Sequence, residues 1–151
     1  GGAEADPPSG WPEADCVVFA DVLEHLEDPW GVLRLWRERL AAGGCVVASI
    51  PNVAHHSVVR GLVKGRFDYV DAGILDRTHL RFFTRKTIHE LFVDTGYRVQ
   101  RLERVVDRRL MARASNWLAQ LGQGEERQGG PLRGLADPWT IQFLVVATPS
   151  S

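Results

Sequence analysis

The chain has 151 residues, of which 44% are hydrophobic and 25% charged, and its formal net charge is −1. A chain of this length buries roughly 68–70% of the surface it exposes when unfolded, enough for one real core. The near balance of 18 basic and 19 acidic residues argues against a nucleic-acid binder, which carries a basic excess. No apolar run approaches the roughly 18 residues of a membrane span, and no signal segment opens the chain. Cys16 and Cys45 both sit inside apolar runs, where a free thiol acts as a small hydrophobe. A disulfide scaffold is therefore excluded, and a cytoplasmic setting is the expectation.

Residues 1–15 are rich in Gly, Pro and acids and read as loop. The chain opens Gly1-Gly2-Ala3 without an initiator Met, which reads as a piece of something longer. Cys16 to Ala20 is an unalternating apolar run, the pattern of a strand buried on both faces of a parallel sheet. Asp28 offers a helix N-cap and Pro29 a first helical residue. The helix that follows places Pro29, Leu33, Trp36 and Leu40 on one face, with Gly43 or Gly44 as its closing glycine. Cys45 to Ile50 is a second apolar strand, stopped by Pro51. Strand, helix and strand in this order form a βαβ unit, which builds a parallel sheet.

Residues 53–65 read as helical, and residues 66–83 have no period. A long aperiodic stretch in a compact domain is often functional. Thr84 caps a helix running to Asp94, with Ile88, Leu91, Phe92 and Thr95 on one face and Gly96 at its close. Tyr97 to Val106 reads as a strand, and Thr140 to Thr148 as the last strand, able to pair with it as a long-loop hairpin. Between them, residues 107–139 are expected to form an inserted amphipathic helix (Leu110, Met111, Trp117, Leu118) followed by a mobile loop. The whole, residues 1–151, is expected to be one α/β domain.

Three motifs in order carry a resemblance. The run DVLEHLEDPWGVLRLWRERLAAGG, then SIPN, then LDRTHLRFFT resembles the second half of class I S-adenosylmethionine-dependent methyltransferases, in the subset acting on small molecules and glycans. The resemblance implies a partial Rossmann-like sheet, corresponding to strands 4–7 with flanking helices. It implies a cofactor, S-adenosylmethionine, touched by Gly2, Ala3, Phe19, Ala20 and Asp21. It also implies that the N-terminal cofactor-binding half is missing, because no G-x-G loop followed by a helix is present. On this reading the chain alone binds the cofactor poorly or not at all.

Asp21, Glu24 and His25 fall at i, i+3 and i+4, so one helical turn would bring their side chains to one face. They follow a parallel strand, at the edge where open α/β sheets bind ligands. Two carboxylates and an imidazole, with His79 as a fourth ligand, can hold a divalent metal such as Mg or Mn. The same set resembles the metal-binding E-x-x-E-H plus His of ubiquinone-pathway and small-RNA O-methyltransferases, with Asp21 in place of a Glu. Without metal, His25 can act as general base on an acceptor hydroxyl, oriented by Asp21 or Glu24. In the structural alternative, the two acids solvate a helix start and His25 packs beneath Trp30.

His55, His56 and His79 are candidates to line the acceptor pocket, and Arg81 to recognise an acidic group on the acceptor. Asp76 and Arg77, with Arg81, read as a structural ion-pair set. Two function classes follow: an O-methyltransferase of a small-molecule or glycan acceptor, and a non-catalytic α/β fragment that binds a partner or self-associates through an exposed sheet edge.

Overall fold

The computed structural model describes residues 12–106 and 138–150. Gly2 and Ala3, and all but the last two residues of the expected 107–139 insertion, lie outside the described residues. Four strands, β1 (Ala14–Ala20), β2 (Leu40–Pro51), β3 (Tyr97–Val106) and β4 (Thr140–Pro149), form one sheet. Their order is β1-β2-β4-β3. β1 and β2 are parallel, and β4 runs antiparallel to both its neighbours. The architecture is that of a partial Rossmann-like sheet.

The first helix, α1 (Pro29–Arg37), connects the parallel pair. Asp28 caps it by accepting a bond from the Gly31 amide at 2.9 Å. It ends at Arg37, earlier than the sequence reading expects, and Leu40 already belongs to β2. Gly43 and Gly44 therefore do not cap the helix. They lie in a bulge of β2, where the register passes from Ala14 opposite Leu40 to Cys16 opposite Cys45. Gly43 has φ +83 there, and a Cβ on Gly44 would lie 2.9 Å from the Ala14 carbonyl oxygen. Both positions need the missing side chain, for a backbone reason that periodicity cannot display.

α3 (Arg85–Asp94) is the best-marked helix, with Thr84 and Thr87 forming a reciprocal capping box worth about 1 kcal/mol. Its face of Ile88, Leu91 and Phe92 joins Val32 and Leu33 of α1 in one core. That core rests on alternate residues of two strands, Val46, Ala48 and Ile50 of β2 and Phe143, Val145 and Ala147 of β4. The opposite face of the sheet is uncovered among the described residues: Val18 is 63% exposed and Leu144 41%. β1 is thus not buried on both faces, and it stands at an edge of the sheet.

α2 (His56–Val63) follows β2. The aperiodic segment then folds back across the ends of β1 and β2. It turns at Gly73, bridges Val70 to Asp76 and Phe83 to Asn52, and donates the Leu80 and Arg81 amides to the Glu24 carbonyl at 2.8 and 2.9 Å. No helix among the described residues is long and apolar enough to cross a membrane.

Candidate functional site

A cavity of about 840 Å³ opens where β1 and β2 end and β4 begins, with Asp21, Pro51 and Gln142 marking the three strand ends. This is the carboxyl edge of the parallel pair, where α/β sheets place their ligands. α2 supplies one wall and the 66–83 segment another, through Asp68, Ile74 and His79.

Two groups of imidazoles face this cavity. The first is Glu24, His25 and His79, which each offer a ligand atom within 4.8 Å of the others. Glu24 and His25 belong to a single 3-10 turn, Leu23–His25. The Glu24 side chain is 1% exposed, and neither of its oxygens has a hydrogen-bond partner. The nearest opposing group is His79 Nε2, at 4.0 Å from Oε1, beyond hydrogen-bond reach. Desolvation is the main cause that pushes this carboxyl up to about 7, with the Asp21 charge adding to it.

The imidazoles are better satisfied. His79 Nδ1 lies 3.0 Å from the Ile74 carbonyl, and His25 Nδ1 lies 3.2 Å from the Thr78 carbonyl. A carbonyl only accepts, so both Nδ1 atoms carry their protons, and in the neutral rings the Nε2 lone pairs are bare. An N–H held on a backbone carbonyl is how proteins orient an imidazole toward a metal or an acidic proton. His25 does not pack beneath Trp30; its ring meets His79 edge-on, with centroids 4.7 Å apart.

Asp21 does not join this group. It has a left-handed backbone, φ +52, which Asp tolerates and which breaks the helical register before the 3-10 turn begins. Its amide bonds the Ser49 hydroxyl at 3.0 Å, and its carboxylate accepts from Gln142. It remains at the cavity mouth. Of the residues expected near a cofactor, Phe19 is buried in the core and Ala20 is exposed.

The second group is His55, His56 and Ser57. His55 is buried and caps α2, its Nδ1 accepting from the Ser57 amide at 3.4 Å and lying 2.8 Å from the Ser57 hydroxyl. Its proton therefore sits on Nε2, which lies 3.2 Å from His56 Nδ1. That bond makes His56 Nδ1 an acceptor and leaves the His56 proton on Nε2. Sequence reading missed Trp139, whose ring lies 5.0 Å from that of His56, and Gln142; no motif marks either.

Arg81 is turned away from the cavity. Its guanidinium donates to the Glu27 carbonyl and lies 6.0 Å from the Trp30 ring centroid. Arg77 pairs with Asp71 at 2.6 Å rather than with Asp76. Asp76 instead accepts from the Thr78 amide and hydroxyl, which hold its carboxyl below the usual range.

Comparison with known proteins fits this geometry. The methyltransferase domain family model matches residues 2–102. No curated protein sequence matches at a significant level. Among solved structures, the CcbJ methyltransferase from Streptomyces caelestis superposes with a TM-score of 0.57 at 12% identity, over 99% of this chain and 61% of its own. Magnesium protoporphyrin IX methyltransferase from Synechocystis PCC 6803, with bound S-adenosylhomocysteine, gives 0.53 at 12% identity, over 94% and 48%. The O-methyltransferase NcsB1 of neocarzinostatin biosynthesis, in complex with S-adenosylhomocysteine and 1,4-dihydroxy-2-naphthoic acid, gives 0.52 at 15% identity, over 99% and 32%. The chain spans from about a third to three-fifths of the length of these three structures. With the family model matched over two thirds of its residues and the sheet superposing on those enzymes, the chain belongs to the methyltransferase domain family.

Proposed function

We propose that this chain forms the acceptor-side part of an S-adenosylmethionine-dependent methyltransferase acting on an oxygen of a small molecule or glycan. One observation carries the reading: a buried carboxyl with both oxygens unpartnered, beside two imidazoles whose bare nitrogens belong to the same cavity cluster. Such a group is costly to leave unmade and is rare outside functional sites.

The described residues do not make an S-adenosylmethionine site by themselves. They offer the end of β1, at Ala20 and Asp21, and no glycine-rich strand–loop–helix. In a complete domain that cofactor supplies the methyl group. The residues here act on the acceptor: His25, fixed by Thr78, takes the hydroxyl proton on Nε2, and Glu24 stabilises the imidazolium that results. The rest of catalysis is placement of the oxygen.

A second reading has its own support. Glu24, His25 and His79 suit a divalent cation that accepts oxygen and nitrogen ligands, such as Mn or Mg; there the ion would lower the acceptor hydroxyl's pKa. Asp21 is not among the three. The test is methyl transfer by the complete protein, with and without chelator. His25→Ala is expected to lower kcat by about 10²–10⁴-fold with little change in acceptor KM. Unchanged turnover would sink the base. Calorimetric Mn binding by this chain, lost in His79→Ala, would select the metal reading, and no binding would remove it.

A further inference from the structure

Apart from its histidines, the ionisable side chains described in the cavity lining are all acidic. Asp21, Glu24, Asp68 and Asp76 line it, and no Lys or Arg does so among the described residues. The nearby guanidinium groups already have partners, and Arg66 offsets the charge of Asp68. Arg66 is spent on Asp68 at the rim, at 2.5 Å, Arg77 on Asp71, and Arg81 on the Glu27 carbonyl. The acids are not merely a surface cluster, since the unpartnered Glu24 carboxyl is one of them and is buried from solvent. The remaining lining includes apolar side chains, among them Val58, Ile74 and Ile141.

We infer that this cavity selects a neutral or cationic amphiphile, an apolar ring or chain bearing a hydroxyl or amine, and rejects carboxylated or phosphorylated compounds. The inference rests on the reading that the cavity receives the acceptor. An anion entering it loses its hydration and meets the carboxyl groups of Asp21, Glu24 and Asp76, with no Lys or Arg in the described lining to offset either cost. A hydroxyl or ammonium donates to the Glu24 carboxyl, which otherwise lacks a donor, while the apolar wall covers its body. The selection is by repulsion as much as by attraction.

Three phenols of one shape test this: tyramine, tyrosol and 4-hydroxyphenylacetate, which differ in the charge at the end of the side chain. Binding to this chain is followed by NMR in chelator-treated buffer, through the ring protons of His25 and His56. Tyramine is expected to bind at least as tightly as tyrosol, and 4-hydroxyphenylacetate about tenfold more weakly. Asp76→Asn keeps an oxygen for Thr78, and is expected to narrow the gap between tyrosol and the anion about threefold. If the anion binds as well as tyrosol, with the same histidines perturbed, charge selection is overturned and the acceptor cavity stands. If none of the three perturbs those histidines, the selection and the acceptor cavity fall together.

Discussion

The two imidazole groups share one cavity and are opposites in how their polar atoms are paired. In the Ser57–His55–His56 chain each shared proton has a donor and an acceptor, and the bonds fix the protons on both rings. In the Glu24–His25–His79 group the bonds run outward to backbone carbonyls, and the atoms facing inward are left bare. A fully paired polar group strengthens the frame that holds it, while an unpaired one stores a cost that a ligand or proton can relieve. The first group therefore builds the wall, and the second is where the proposed chemistry is placed.

The largest expected break in this contrast is at Glu24. Its carboxyl ionises near 4.5 ordinarily and near 7 in the fold. Below 4.5 it is neutral in both states and adds no pH dependence. Between 4.5 and 7 the unfolded state releases the proton first, so stability falls by about 3 kcal/mol across that window and levels off above it. Denaturant melts at pH 4 and pH 8, in chelator, should show this loss in the wild type and not in Glu24→Gln. An equal loss in both proteins would place the unpaired carboxyl's cost elsewhere.

Next in size is His55. His55→Ala removes the α2 cap and should cost about 1–2 kcal/mol by the same melts. His55→Asn keeps a capping oxygen and should recover most of that. It should nonetheless release His56: in the melts' buffer at about pH 8, the two ¹⁵N shifts of His56 should draw together as its tautomers mix. If they stay apart, His55 does not set that proton. The smallest effect is expected for Ser57→Ala, about 0.5 kcal/mol or less, because the Ser57 amide still bonds His55.

Much of the frame was legible where local chemistry dictates it. Thr84 and Gly96 bound α3, Asp28 and Pro29 start α1, and β3 and β4 pair as the expected long-loop hairpin. The fold class and its family resemblance followed from ordered motifs. Gly43 and Gly44 were misplaced because a glycine after a helical pattern looks alike as a cap and as a bulge. The spacing of Asp21, Glu24 and His25 assumed a helix from Asp21, and the left-handed backbone at that residue removes it. What sequence spacing could not display was the burial of Glu24. That depends on residues 66–83 folding over it, through contacts more than fifty positions away in the chain.

The order β1-β2-β4-β3 also fixes a sequence in time. Of the four described strands β4 is the last to leave the ribosome, yet it lies between β2 and β3. Until it arrives, neither of those strands has its partner on that side, and half the core face, Phe143, Val145 and Ala147, is missing. A nascent chain therefore waits with two apolar strand edges unpaired, the condition in which chaperones are most needed and wrong pairings most readily form. Among these four strands the sheet closes from its middle, and the last-made of them is its keystone.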